Sequence, residues 1–102
     1  MNMLKDKTII VTGATGGIGN AIARTCAREG SNIGINYHKS KDEAEKLKYE
    51  IEETYNSKAW LLPFDIRNYS EIKDCCEKNF PDTPIHGWVN NAAVNVPGLF
   101  LT

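Results

Sequence analysis

The amino-acid sequence predicts an α/β fold: a doubly wound parallel sheet from a β-α-β-α-β-α-β chain, strand order 3-2-1-4. Three observations predict it. Short apolar segments alternate with longer segments whose apolar residues recur at helical spacing, joined by short turns. Helices of that length between consecutive strands imply right-handed crossovers, and hence parallel strands. Pro63, inside the third apolar segment, has no N–H to give to a ladder, so that strand lies at a sheet edge or leaves the sheet near Pro63, and the order 3-2-1-4 places it at the edge.

The first strand covers about Lys7 to Thr12, centred on Thr8-Ile9-Ile10-Val11. A glycine-rich turn follows and opens a helix from Ile18 to Arg28. Ile18, Ile22, Ala23, Cys26 and Ala27 form one apolar stripe along it, and Gly30 is its stop signal. Ser31 to Tyr37 alternates as a second strand, with Ile33 and Ile35 on one face. Ser40 and Glu43 have capping-box spacing and open a helix to about Tyr55. Ala44, Leu47, Ile51 and Tyr55 point inward there, and the charges of Asp42 to Lys48 and Glu50 to Glu53 form a solvated face. Ala59 to Asp65 is the third strand. Asn68 with Glu71 caps a third helix, whose stripe is Ile72, Cys75, Cys76 and Phe80. Pro81 to Pro84 is a loop, and Ile85 to Asn90 is the fourth strand.

Composition narrows the partners. The 102 residues are 41% hydrophobic and 25% charged, with a net charge of −1, an ordinary soluble composition for one small domain. No basic patch stands out, which excludes nucleic acid as the expected partner. No apolar run spans a bilayer, and the leading MNMLKDK lacks the apolar core of a signal peptide, so no membrane is expected. Cys26, Cys75 and Cys76 are an odd number without C-x-x-C spacing. They are expected as free thiols in a reducing cytoplasm. His38 and His86 have no partners at metal-ligand spacing, so no metal site is expected.

The stretch KTIIVTGATGGIG, Lys7 to Gly19, carries the chemistry. Gly13 permits a tight reversal, and Gly17 removes a Cβ that would keep a pyrophosphate from the backbone. Gly19 lets the helix pack close. The helix start then offers N–H groups and the positive end of its dipole to an anion. Strand, glycine turn and helix in that order give the motif the context it needs for dinucleotide binding.

Four places together resemble one family. Thr12-Gly13-x-x-x-Gly17-x-Gly19 resembles the cofactor loop of the short-chain dehydrogenases/reductases, and Asp65-Ile66 their acidic residue near the adenine. Asn90-Asn91-Ala92-Ala93 resembles their N-N-A-G element, and the tail Gly98 to Leu101 is similar to the same region of 3-oxoacyl-carrier-protein reductases. The resemblance covers nearly the whole chain. Ala93 departs from the usual glycine. Gly16 gives the loop the spacing of the extended branch, but N-N-A-A places the chain with the classical branch.

The resemblance implies a Rossmann-type fold, of which residues 1–102 are the amino-terminal, adenosine-binding part. It makes Gly13, Thr15, Gly16, Gly17, Ile18 and Gly19 the pyrophosphate cradle. Asp65 and Ile66 would hold the adenine, and Asn91, Ala92 and Ala93 the adjacent ribose. At the end of the second strand, Tyr37, His38 and Lys39 offer a cation and no carboxylate, which favours NADP, with NAD as the alternative. The family's catalytic Ser, Tyr and Lys lie downstream of the N-N-A-G element, so no catalytic residue is assigned here. The whole protein is expected to transfer hydride between NADP(H) and a ketone or alcohol, with a 3-oxoacyl thioester as one candidate, and to form a homo-oligomer. The competing expectations are a non-catalytic module that binds a nucleotide or docks onto a partner, and an inactive truncated product.

Overall fold

The computed structural model describes residues 3–91. Four strands and three helices alternate: β1 (Thr8–Val11), α1 (Gly17–Arg28), β2 (Asn32–Tyr37), α2 (Lys41–Tyr55), β3 (Ala59–Pro63), α3 (Tyr69–Asn79) and β4 (Gly87–Val89). All pairings are parallel and the strand order is β3-β2-β1-β4, as the sequence predicts. The register sets Ile9 beside Ile33 and Ile33 beside Ala59. Pro63 closes β3 at the sheet edge, where its missing N–H costs no ladder bond.

Because side chains alternate along a strand, the sheet has two apolar faces. Val11, Ile33, Ile35 and Ala59 point to one face, where Ala23 and Ala27 of α1 and Ala44, Leu47 and Ile51 of α2 cover them. Ile10 and Leu62 point to the other, with Phe64 and Phe80, and α3 packs there through Ile72, Cys75 and Cys76. The cover is uneven. α1 and α2 each bury three residues, whereas α3 buries none completely. Trp88 of β4 stacks on Phe64 at a centroid distance of 6.1 Å and remains 38% exposed.

Three expectations need correction. Ile18 is not part of the buried stripe of α1; it is 71% exposed, and Gly19, Ala23 and Ala27 take the core-facing positions. It continues the half-covered row of Ile22 and Cys26 into the first turn, where no described element lies over it. Ser40 is the N-cap of α2, but its side chain accepts no capping bond. Its ψ of 61° departs from the extended conformation that turns a cap oxygen back over the helix end. The outer strands are also shorter than expected, because β3 stops at Pro63 and β4 covers only Gly87–Val89.

The cap on α3 forms as expected. Asn68 Oδ1 accepts from Glu71 N (3.2 Å), and Asn68 Nδ2 donates to Glu71 Oε2 (2.9 Å). The three thiols remain free, and burial pushes each of them upward in pKa, away from reactive thiolate. The two caps should therefore respond differently to alanine. Asn68→Ala should lower stability in urea unfolding by about 1 kcal/mol, and Ser40→Ala by less than about 0.5 kcal/mol.

Candidate functional site

The site begins where β1 ends. Thr12 N donates to Val89 O (3.0 Å), and Thr12 Oγ1 donates to the same carbonyl (3.2 Å) while accepting from Asn91 N (2.9 Å). This fastens the end of β1 to the end of β4. Gly13 then turns the chain with φ 61°, the left-handed region that glycine enters without strain. Its N–H donates to Asn36 Oδ1 (3.1 Å), and its carbonyl accepts from Gly16 N (3.1 Å) and Asn91 Nδ2 (3.2 Å).

The glycines of the turn divide by role. A Cβ on Gly19 would lie 2.2 Å from Gly13 O and 2.6 Å from Asn91 Nδ2, so the helix sits against the loop only because that atom is absent. A Cβ on Gly17 would meet nothing within 4 Å. Packing within the described protein gives no reason for glycine at position 17, and the space its Cβ would fill lies at the opening turn of α1. Gly16, the N-cap, supplies no side chain to that turn. The first-turn N–H groups are therefore available to an anion.

Asn36 is the residue that sequence reasoning missed. It is 2% exposed, and its Nδ2 donates to Leu62 O and Phe64 O, both at 3.0 Å. With Gly13 N on its Oδ1, and with its own carbonyl accepting from Ala14 N (3.0 Å), it ties β2, β3 and the glycine turn into one unit. A polar residue in the otherwise apolar run Ile33 to Tyr37 is the signal that could have found it.

Beside the turn lies a concavity of about 230 Å³ that brings together Gly13, Thr15, Tyr37, His38, Asp65 and Ile66 from the expected set. Phe64 and Arg67 also line it, and neither was expected. Asp65 is locked by Arg67, whose Nε donates to Oδ1 (3.0 Å), Nη2 to Oδ2 (2.8 Å) and backbone N to Oδ1 (2.9 Å). That guanidinium holds the Asp65 carboxyl well below the usual carboxylate range. His38 Nε2 stands 3.8 Å from Asp65 Oδ2 across the mouth. Lys39 is exposed and outside the lining. Asn91 joins the glycine turn directly, whereas Ala92 and Ala93 lie outside the described residues.

Two tyrosines have a lysine four residues on, Tyr37 with Lys41 and Tyr69 with Lys73. Tyr37 is buried at the end of β2, in the concavity just described. Tyr69 opens α3 and is 75% exposed, and Lys73 pairs with Glu77 at 3.3 Å. Lys41 does not line that concavity and Tyr69 stands exposed, so no catalytic residue is assigned among the described residues.

The family model described as short chain dehydrogenase matches residues 7–102. The chain belongs to that family. Its curated relatives include the NADP-dependent mannitol dehydrogenase of Alternaria alternata, 38% identical over 78% of this chain and 29% of that protein. The 3-oxoacyl-acyl-carrier-protein reductase FabG of Staphylococcus epidermidis is 31% identical over 94% of this chain and 39% of its own. Among solved structures, a blue fluorescent protein from a metagenomic library in complex with NADPH superposes with a TM-score of 0.82. That protein is 30% identical, over 92% of this chain and 38% of that one. The chain thus spans well under half the length of these proteins. Among the described residues, no helix is long and apolar enough to cross a membrane.

Two substitutions separate packing from ligand space. Gly19→Ala should destabilise the fold by about 1–3 kcal/mol, the usual cost of overpacking, while Gly17→Ala should leave the thermal midpoint unchanged or raise it. Asn36→Leu, which removes three side-chain hydrogen bonds to the backbone, should cost about 2–4 kcal/mol in urea unfolding.

Proposed function

We propose that this chain holds the adenosine and pyrophosphate of NADP(H) in an oxidoreductase that interconverts a ketone and an alcohol. The observation that carries the proposal is the uncapped start of α1, where Gly17 leaves open a space that the fold itself does not need. A pyrophosphate fits that space chemically, since backbone N–H groups and the helix dipole stabilise negative charge without a side chain.

The neighbouring residues suit the rest of the group. Ile66 gives the concavity apolar surface for a flat base, and Asp65 supplies an acceptor at its edge. Asn91, anchored on Gly13, would hold the adjacent ribose. Charge supports NADP over NAD. No carboxylate stands at the end of β2, where His38 and Lys39 stand, and Asp65, which faces His38, is paired with Arg67. A relative named for its NADP dependence and a similar structure in complex with NADPH agree with this preference.

Bound NADPH supplies the hydride, and this chain's residues fix the other end of the cofactor so that the nicotinamide is held in one place. Likeness to FabG supports a 3-oxoacyl thioester as one candidate substrate. Free thiols support a cytoplasmic setting, and the family resemblance supports a homo-oligomer.

In calorimetric titration, NADPH should bind more tightly than NADH, and Lys39→Glu should reverse that order. Gly17→Ala should weaken NADPH binding by about tenfold or more without loss of melting temperature. Wild-type affinity in that variant would overturn the placement of the pyrophosphate.

A further inference from the structure

Asp65 is fixed from several directions. Its backbone N–H donates to Glu71 Oε1 (3.1 Å), and its carbonyl accepts from Asn68 N (2.9 Å), so the cap of α3 holds the main chain. Its side chain is held separately by Arg67. A carboxylate has about four lone-pair positions, two on each oxygen. Arg67 N and Nε fill both positions of Oδ1, and Arg67 Nη2 fills one on Oδ2. One position on Oδ2 remains. His38 Nε2, the other charged-capable group facing it, stands 3.8 Å away and beyond hydrogen-bond distance.

We infer that Arg67 is a positioning residue that makes Asp65 Oδ2 a single-acceptor reader of the base, selecting an exocyclic 6-amino group over a 6-oxo group. The inference rests on the placement of the adenosine proposed above. Loose carboxylates rotate, and water can satisfy either kind of base edge. A carboxylate whose plane is set by a bidentate guanidinium presents one acceptor in one direction. The amine of a 6-aminopurine donates to it. The carbonyl of a 6-oxopurine would meet it acceptor to acceptor. Arg67 does this from the side, through Asp65, and is itself 68% exposed, so replacing it removes no core packing.

The test compares NADP+ with its hypoxanthine analogue, nicotinamide hypoxanthine dinucleotide phosphate, by calorimetric titration of the wild type, Arg67→Gln and Arg67→Lys. The two ligands differ only at the base, so their affinity ratio on one protein is not moved by a general loss of fold. The wild type should favour NADP+ by about tenfold or more. Arg67→Gln should reduce the ratio to under about threefold, and Arg67→Lys, which keeps the charge but not the fork, should fall between them. Circular dichroism should show all three proteins folded; if Arg67→Gln does not fold, Arg67→Lys alone decides. A wild type that does not discriminate, or discrimination that survives Arg67→Gln and Arg67→Lys undiminished, overturns this inference alone. A wild type that binds neither ligand overturns the proposed cofactor site and this inference with it.

Discussion

The structure depends most on one buried amide. Asn36 sits where β2 ends, β3 leaves the sheet and the glycine turn crosses above both. Each of those segments has backbone groups that the parallel ladders do not satisfy. Its side chain gives both hydrogens to the carbonyls of Leu62 and Phe64 and takes the N–H of Gly13. Buried backbone groups left unpaired are costly, so the amide converts three liabilities into a joint. The same joint sets the distance between the glycine turn and the concavity of Asp65. The geometry of the proposed cofactor site and the integrity of the sheet are thus held by one residue that need not touch the ligand.

Most of the fold was legible because the sequence repeats one physical pattern. Ile33 and Ile35 fall on one face of β2, and Ala44, Leu47 and Ile51 answer them from α2. Each depends only on period, which the residues display directly. Pro63 marked the edge because it lacks a donor. What the sequence concealed were effects of the ends. Ile18 has the spacing of a core residue but lies in the first turn of α1, beyond the cover that its row receives. Ser40 has the identity of a cap but not the backbone angle. Spacing says which face a residue occupies, not whether anything lies opposite.

The site was legible in its loops and obscure in its joints. Gly13 and Gly19 were expected to serve a tight turn and a close approach, and both do. Asp65, His38 and Thr15, far apart in the chain, meet at one concavity. Asn36 and Arg67 were missed for a common reason: their work is done through another residue, Asn36 through Gly13 and Arg67 through Asp65. A motif names groups that meet a ligand. It does not name the groups that hold them still, because those partners are set by three-dimensional neighbours.

The uneven cover of the sheet has a consequence for motion. α3 contributes no completely buried side chain, yet its first turn holds the backbone of Asp65 through Glu71 and Asn68. Helices with little buried surface open locally at lower free energy than the core around them. Amide hydrogens of α3 would accordingly exchange with solvent ahead of those of α1 and α2. Each such opening loosens the carboxylate at the rim of the proposed nucleotide site. Occupancy of that site would close the helix in turn, so the least protected element of the fold becomes the one whose breathing reports whether the cofactor is bound.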